Sequence, residues 1–115
     1  DVFQPDVVCT QGITGLAKFA HEVAAAGKIF TPHTWGTGIG VMGNLHVTAG
    51  TVGAPFIEFP FDPPEWTTER RDYMLNDTIE ADGEGWIHLS DEPGLGISLN
   101  EEVLRKTASD QATFS

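Results

Sequence analysis

Residues 29–35 read Ile-Phe-Thr-Pro-His-Thr-Trp, IFTPHTW. An apolar start closed by a proline predicts a short strand over 29–31, because Pro32 has no backbone donor for a longer ladder. His33 follows just past the end of that strand. Working outward, VFQPDVV at 2–8 is a segment of the same kind, with Pro5 and Asp6 near its end. FIEF at 56–59, between Pro55 and Pro60, is a third, and it carries Glu58. Between the first two lies 15–26, where Leu16, Phe19, Ala20 and Val23 recur at helical spacing. Thr14 is its expected N-cap and Gly27 its stop. Between the second and third lie a Gly-rich loop at 36–40 and an expected helix over 41–52, weakened by Gly43, Gly50 and two valines.

Strand, helix, strand, helix, strand is an α/β order. Asp6, His33 and Glu58 stand 27 and 25 residues apart. A repeat of about 26 residues accommodates a strand, a helix and two turns, as a parallel crossover needs. The three strands are therefore expected to be parallel and adjacent.

Beyond residue 61 the character changes. Prolines (Pro63, Pro64), charges at 69–72 and a turn at Asp82-Gly83 come first. Short strands over 86–89 and 97–99, a PGLG loop at 93–96 and a helical turn over 101–106 are expected to follow. The chain thus divides into 1–61 and 62–115, the second part packing onto something other than the three-strand sheet. A parallel sheet needs both faces covered. Two and a half βα units cannot do that, so a complement is expected, either another polypeptide or the rest of a longer protein. The start at Asp1 rather than Met predicts a processed product or a piece.

The chain has 115 residues, enough for one domain at most. Seventeen acids against six bases give a formal charge of −11, which excludes nucleic acid and anionic membranes as natural partners. The lone Cys9 rules out an internal disulfide framework and favours a reducing compartment. No apolar run approaches spanning length and no stretch reads as a signal peptide, so a cytoplasmic protein is expected.

Asp6, His33 and Glu58 each fall at the C-terminal end of a successive parallel strand, the edge where α/β sheets place their sites. An aspartate bonded to one imidazole nitrogen fixes the tautomer and leaves the other nitrogen as a base. Glu58 is flanked by Ile57 and Phe59. An apolar flank disfavours the charged form, and a protonated carboxyl can donate to a developing oxyanion. Singly, each has a structural reading: Asp6 as a turn cap, His33 as a satisfied loop histidine, Glu58 as half of an ion pair. In register on one rim they point to chemistry. Trp35, two residues past His33, is placed to wall a pocket or to pack in the core.

Other patterns carry less. Gly38-Ile39-Gly40-Val41-Met42-Gly43 matches G-x-G-x-x-G, but starts well past the strand, and Glu58 follows Gly43 by only 15 residues. A close approach of backbone to a ligand or a neighbouring helix is the preferred reading. His21-Glu22 begins a zinc motif that Ala25 breaks, and an EF-hand-like run has Thr78 and Leu89 in its first and last ligand positions. Asn76-Asp77-Thr78 is a glycosylation sequon without consequence inside a cell. His46 is expected to pack or cap, Cys9 to be a small buried hydrophobe, and Trp86 and His88 to belong to a half-buried strand.

QPD at 4–6, GIT at 12–14, PHTW at 32–35, Asn44-Leu45-His46, FIEF and PGLGI at 93–97 together resemble the mandelate racemase and muconate lactonizing enzyme family of the enolase superfamily. The likeness runs over 1–106 and concerns the C-terminal part of that family. It departs at Gln11-Gly12, where the family usually has two glycines. The resemblance implies a (β/α)7β barrel of the TIM type, of which this chain would be the last three strands and two helices plus a segment of the capping domain. It implies a His–Asp dyad in His33 and Asp6 and a glutamate, Glu58, on the eighth strand. It also implies a Mg²⁺ whose acidic ligands, with a lysine base, lie on earlier strands, so no metal ligand is assigned here. The implied partners are a small carboxylate substrate, the N-terminal remainder of the enzyme and further copies in a homo-oligomer. The implied reaction removes the proton α to a carboxylate, most simply in an acid-sugar dehydratase. The alternatives are a 2-hydroxy-acid racemase or epimerase, or a non-catalytic complementing fragment.

Overall fold

The computed structural model describes residues 1–110 and 112, so the end of the 62–115 segment falls outside the description. Two strands pair in parallel: β1 (Val2–Phe3) and β2 (Ile29–Phe30), with Val2 opposite Ile29 and Phe3 opposite Phe30. The strands are shorter than expected, but their bonding runs on. Ile29 donates to the Asp1 carbonyl, Thr31 to Phe3 and His33 to Pro5. The last of these bonds brings the His33 backbone level with Pro5, beside Asp6.

α1 (Gly12–Ala25) crosses between the strands. It starts earlier than expected and has Gln11, not Thr14, at its N-cap position, with no side-chain cap. Leu16, Ala20 and Val23 form its buried stripe and join Phe30 and Val47 in one core cluster. Phe19 lies at the margin and meets Phe3 edge-on, centroids 5.8 Å apart. Gly27 ends the helix at φ +66°, a conformation that costs residues with a Cβ.

α2 (Gly38–Ala49) begins three residues before the expected helix, inside the expected Gly-rich loop. Glycine is a poor helix former, yet Gly38, Gly40 and Gly43 are all buried in it. Close packing overrides propensity here. A Cβ on Gly38 would sit 2.3 Å from an Asp72 carboxylate oxygen, so the helix start presses directly on the chain beyond residue 61.

The expected third strand, 56–59, joins no ladder. It runs between Thr34 on one side and the second core cluster on the other. That cluster is Val41, Met42, Leu45, Leu75 and Ile79, and Ile57 and Phe59 pack against it.

After residue 61 come two short helices, α3 (Thr68–Arg71) and α4 (Glu101–Thr107). The Asn100 side chain caps α4 by accepting from the Val103 amide. The expected strands at 86–89 and 97–99 reduce to one isolated bridge, Leu75 with Leu99. The alternation at 86–89 nevertheless survives: Ile87 and Leu89 pack inward while Trp86 and His88 face out. His46 contacts the Leu95 carbonyl through Nε2 at 3.2 Å, tying α2 to the PGLG loop. Cys9, expected inside, is exposed in the turn after Asp6. Among the described residues no helix is long and apolar enough to cross a membrane.

Candidate active site

The chain turns sharply after β1. Asp6 drives that turn: its Oδ1 accepts from the Val8 amide at 2.9 Å, and its carbonyl accepts from the Cys9 amide and the Thr10 hydroxyl. The short aspartate side chain makes such turns favourable because it can bond the backbone two residues on. Asp6 is thereby held nearly out of solvent, its side chain 6% exposed. Its other oxygen, Oδ2, lies 3.1 Å from His33 Nδ1. The His33 ring is half exposed, at 49%. A carboxylate only accepts, so the hydrogen of this bond sits on Nδ1, and in the neutral ring Nε2 carries the lone pair.

Glu58 is anchored by the neighbour of that histidine. The Thr34 amide donates to Glu58 Oε2 at 2.7 Å, and the Thr34 hydroxyl donates to the Glu58 main-chain carbonyl. One carboxylate oxygen is therefore occupied, and Oε1 has no hydrogen-bond partner among the described residues. Sequence reasoning passed over Thr34, and its position between His33 and Trp35 was the available signal. Behind Glu58, the Arg71 guanidinium lies 4.4 Å from the Phe59 ring centroid and donates to the Pro60 carbonyl at 3.3 Å. Arg71 and Asp72 pair at 2.6 Å, both wholly buried, and Asp72 also accepts from the Ile79 amide. Four consecutive charged residues at 69–72 gave no sign that two of them are interior.

Trp35 is 48% exposed and stacks on Trp66, centroids 6.2 Å apart at 21°. Arg70 lies over the far ring, 5.7 Å from its centroid. A residue from beyond position 61 thus reaches the rim beside His33. The dyad partners meet, Glu58 is bound one residue away, and Trp35 flanks them.

No three His, Cys, Asp or Glu side chains among the described residues group to hold a metal ion.

The family model described as enolase C-terminal domain-like matches residues 1–103. The chain belongs to this family. Among curated proteins, this enolase C-terminal domain-like chain is similar to arabinonate dehydratase of Saccharolobus solfataricus, 32% identical over 106 residues. That match takes in 92% of this chain and 27% of the relative. D-galactarolactone cycloisomerase of Agrobacterium fabrum is 30% identical, over 90% of this chain and 28% of the relative. Among solved structures, an enolase-superfamily member from Polaromonas sp. JS666 superposes with a TM-score of 0.78 at 28% identity, over 91% of this chain and 27% of that one. A Pseudovibrio protein titled a putative mandelate racemase/muconate lactonizing enzyme gives 0.81 at 23% identity, over 95% and 28%, which shows the fold. The chain therefore spans little more than a quarter of the relatives it matches.

Proposed function

We propose that this chain is the closing part of a barrel enzyme that removes the proton α to the carboxylate of an acid sugar and then expels a β-hydroxyl. In this reading residues 1–61 complete a (β/α)7β barrel and residues 62–115 pack with its capping domain. The carrying observation is the Asp6–His33 pair: a buried carboxylate holds Nδ1, and the half-exposed ring is left to act through Nε2. His33 takes the α-proton and returns a proton to the departing hydroxyl. Glu58, in its protonated form, donates from Oε1 to the charge that develops on the substrate carboxylate. Trp35 walls the pocket. The dehydratase relative at 32% identity supports an acid-sugar substrate. The cycloisomerase relative keeps an isomerase outcome as the second reading, because both begin with the same proton.

Among the described residues no group of side chains fits the Mg²⁺ implied by the resemblance. Its ligands belong, in this reading, to a part of the enzyme outside residues 1–115.

The test is deuterium exchange at the α-carbon of a panel of sugar acids, by the complete enzyme in D₂O. Exchange with release of a keto acid is expected for the dehydratase, and exchange with inversion alone for the isomerase. No exchange on any acid overturns both. Glu58→Gln is expected to slow exchange by about 1–3 kcal/mol of barrel-site barrier, and an unchanged rate makes Glu58 structural.

A further inference from the structure

We propose that Asn44 is the positioning residue that holds Asp6 and His33 in working geometry, and that the glycines at 40 and 43 serve to let it reach them. The inference rests on the reading of His33 as the base.

Asn44 is fully buried on α2. Its side-chain amide binds three separate pieces of chain. Oδ1 accepts from the Val7 amide at 3.1 Å. Nδ2 donates to Asp6 Oδ1 at 3.0 Å and to the His33 main-chain carbonyl at 3.1 Å. The amide can stand only one way round. Turned over, its oxygen would face a carboxylate and a carbonyl, and its NH₂ would face the Val7 N–H. Neither replacement of similar size serves. Aspartate would set a third acceptor against two, and leucine would leave the Val7 N–H and the His33 carbonyl without this partner.

The consequence falls on the dyad. With Val8 and Asn44 both donating to Oδ1, the Asp6 carboxylate cannot rotate freely, and Oδ2 is the oxygen left for His33. Asn44 also grips the backbone of His33, so one side chain fixes both partners. Because Oδ2 only accepts, the clamp also holds the hydrogen on Nδ1.

The approach of α2 makes this possible. A Cβ on Gly43 would stand 3.0 Å from Val7 Cγ2, and one on Gly40 would stand 3.1 Å from Val8 Cγ2. The helix lies bare against the turn that follows Asp6. Gly40 and Gly43 thus serve close packing that brings an amide to the dyad.

The test uses Asn44→Leu, Asn44→Asp and Gly43→Ala in the complete enzyme. Nitrogen-15 NMR of His33 shows which ring nitrogen carries hydrogen, and exchange kinetics separate kcat from KM. The native ring is expected in one tautomer, protonated on Nδ1. Both Asn44 variants are expected to show mixed tautomers and a kcat about 100-fold lower, with KM little changed. Gly43→Ala keeps the amide but displaces the helix, and is expected to shift both readouts the same way by less. If both Asn44 variants fail to fold, Gly43→Ala carries the test alone. An unchanged tautomer overturns the proposal, whether kcat falls or not and whatever the loss in Tm. A changed tautomer in an enzyme that exchanges no acid at all supports the positioning role and removes the reaction proposed above.

Discussion

Among the described residues there are two Asp–His pairs, and they differ in everything but composition. Asp6 and His33 meet at 3.1 Å on the rim, where Val8 and Asn44 also hold the aspartate. Asp82 and His88 meet at 2.7 Å in a surface turn, their side chains 38% and 76% exposed. The second pair is the shorter. Distance therefore does not mark the candidate site. What marks it is a buried acid fixed from several sides next to an open ring, because only then does the histidine present one nitrogen in one direction.

The largest effect expected from this contrast is on turnover. His33→Asn removes the proposed base and should cut α-proton exchange about 10²- to 10⁴-fold. His88→Asn should leave it unchanged. Equal losses in the two variants, measured as kcat on the same acid, would erase the distinction.

A third acid–base pair extends the contrast to stability. Arg71 and Asp72 are wholly buried, and removing one partner strands the other's charge in the interior. Arg71→Met should cost about 3–5 kcal/mol of folding stability in denaturant titration of the complete protein. It should also loosen 58–60, where Arg71 holds Phe59 and Pro60. A loss no greater than a surface substitution gives would show that the pair does not anchor the chain beyond residue 61.

The smallest effect concerns pH at the surface pair. The His88 hydrogen bond, aided by the Trp86 amide, lowers the Asp82 carboxyl from 3.8 to about 2. A lowered carboxyl stabilises the folded turn above its unfolded value, and that contribution is lost as pH falls through the folded one. The turn should thus be intact above about pH 4 and release between 4 and 2. The amide resonances of Glu84 and Trp86, both bonded to Asp82 Oδ1, should titrate with a midpoint near 2. A midpoint near 3.8 would mean that the pair does not form in solution.

The sequence was informative where a local rule sufficed. The stripe Leu16, Ala20, Val23 and the stop at Gly27 marked α1, and the spacing of Asp6 and His33 placed them on neighbouring strands. It failed where the cause is a partner far along the chain. The segment 56–59 has strand-forming residues, but a strand is defined by its ladder, and here Thr34 and Arg71 side chains hold it instead. Glycine propensity, a local rule, marks the start of α2 as loop, while the reason for Gly38 is Asp72. Asn44 belonged to the motif that carried the resemblance, but its amide bonds Asp6 across 38 positions, beyond the reach of any local pattern.

Thr34 has a mechanical consequence. It is covalently joined to His33, and it grips Glu58 twice, once at the carboxylate and once at the main chain. Any shift of the loop that carries the histidine therefore drags the glutamate with it. The two groups behave like the jaws of a locked calliper, keeping their gap while the hand that holds them moves.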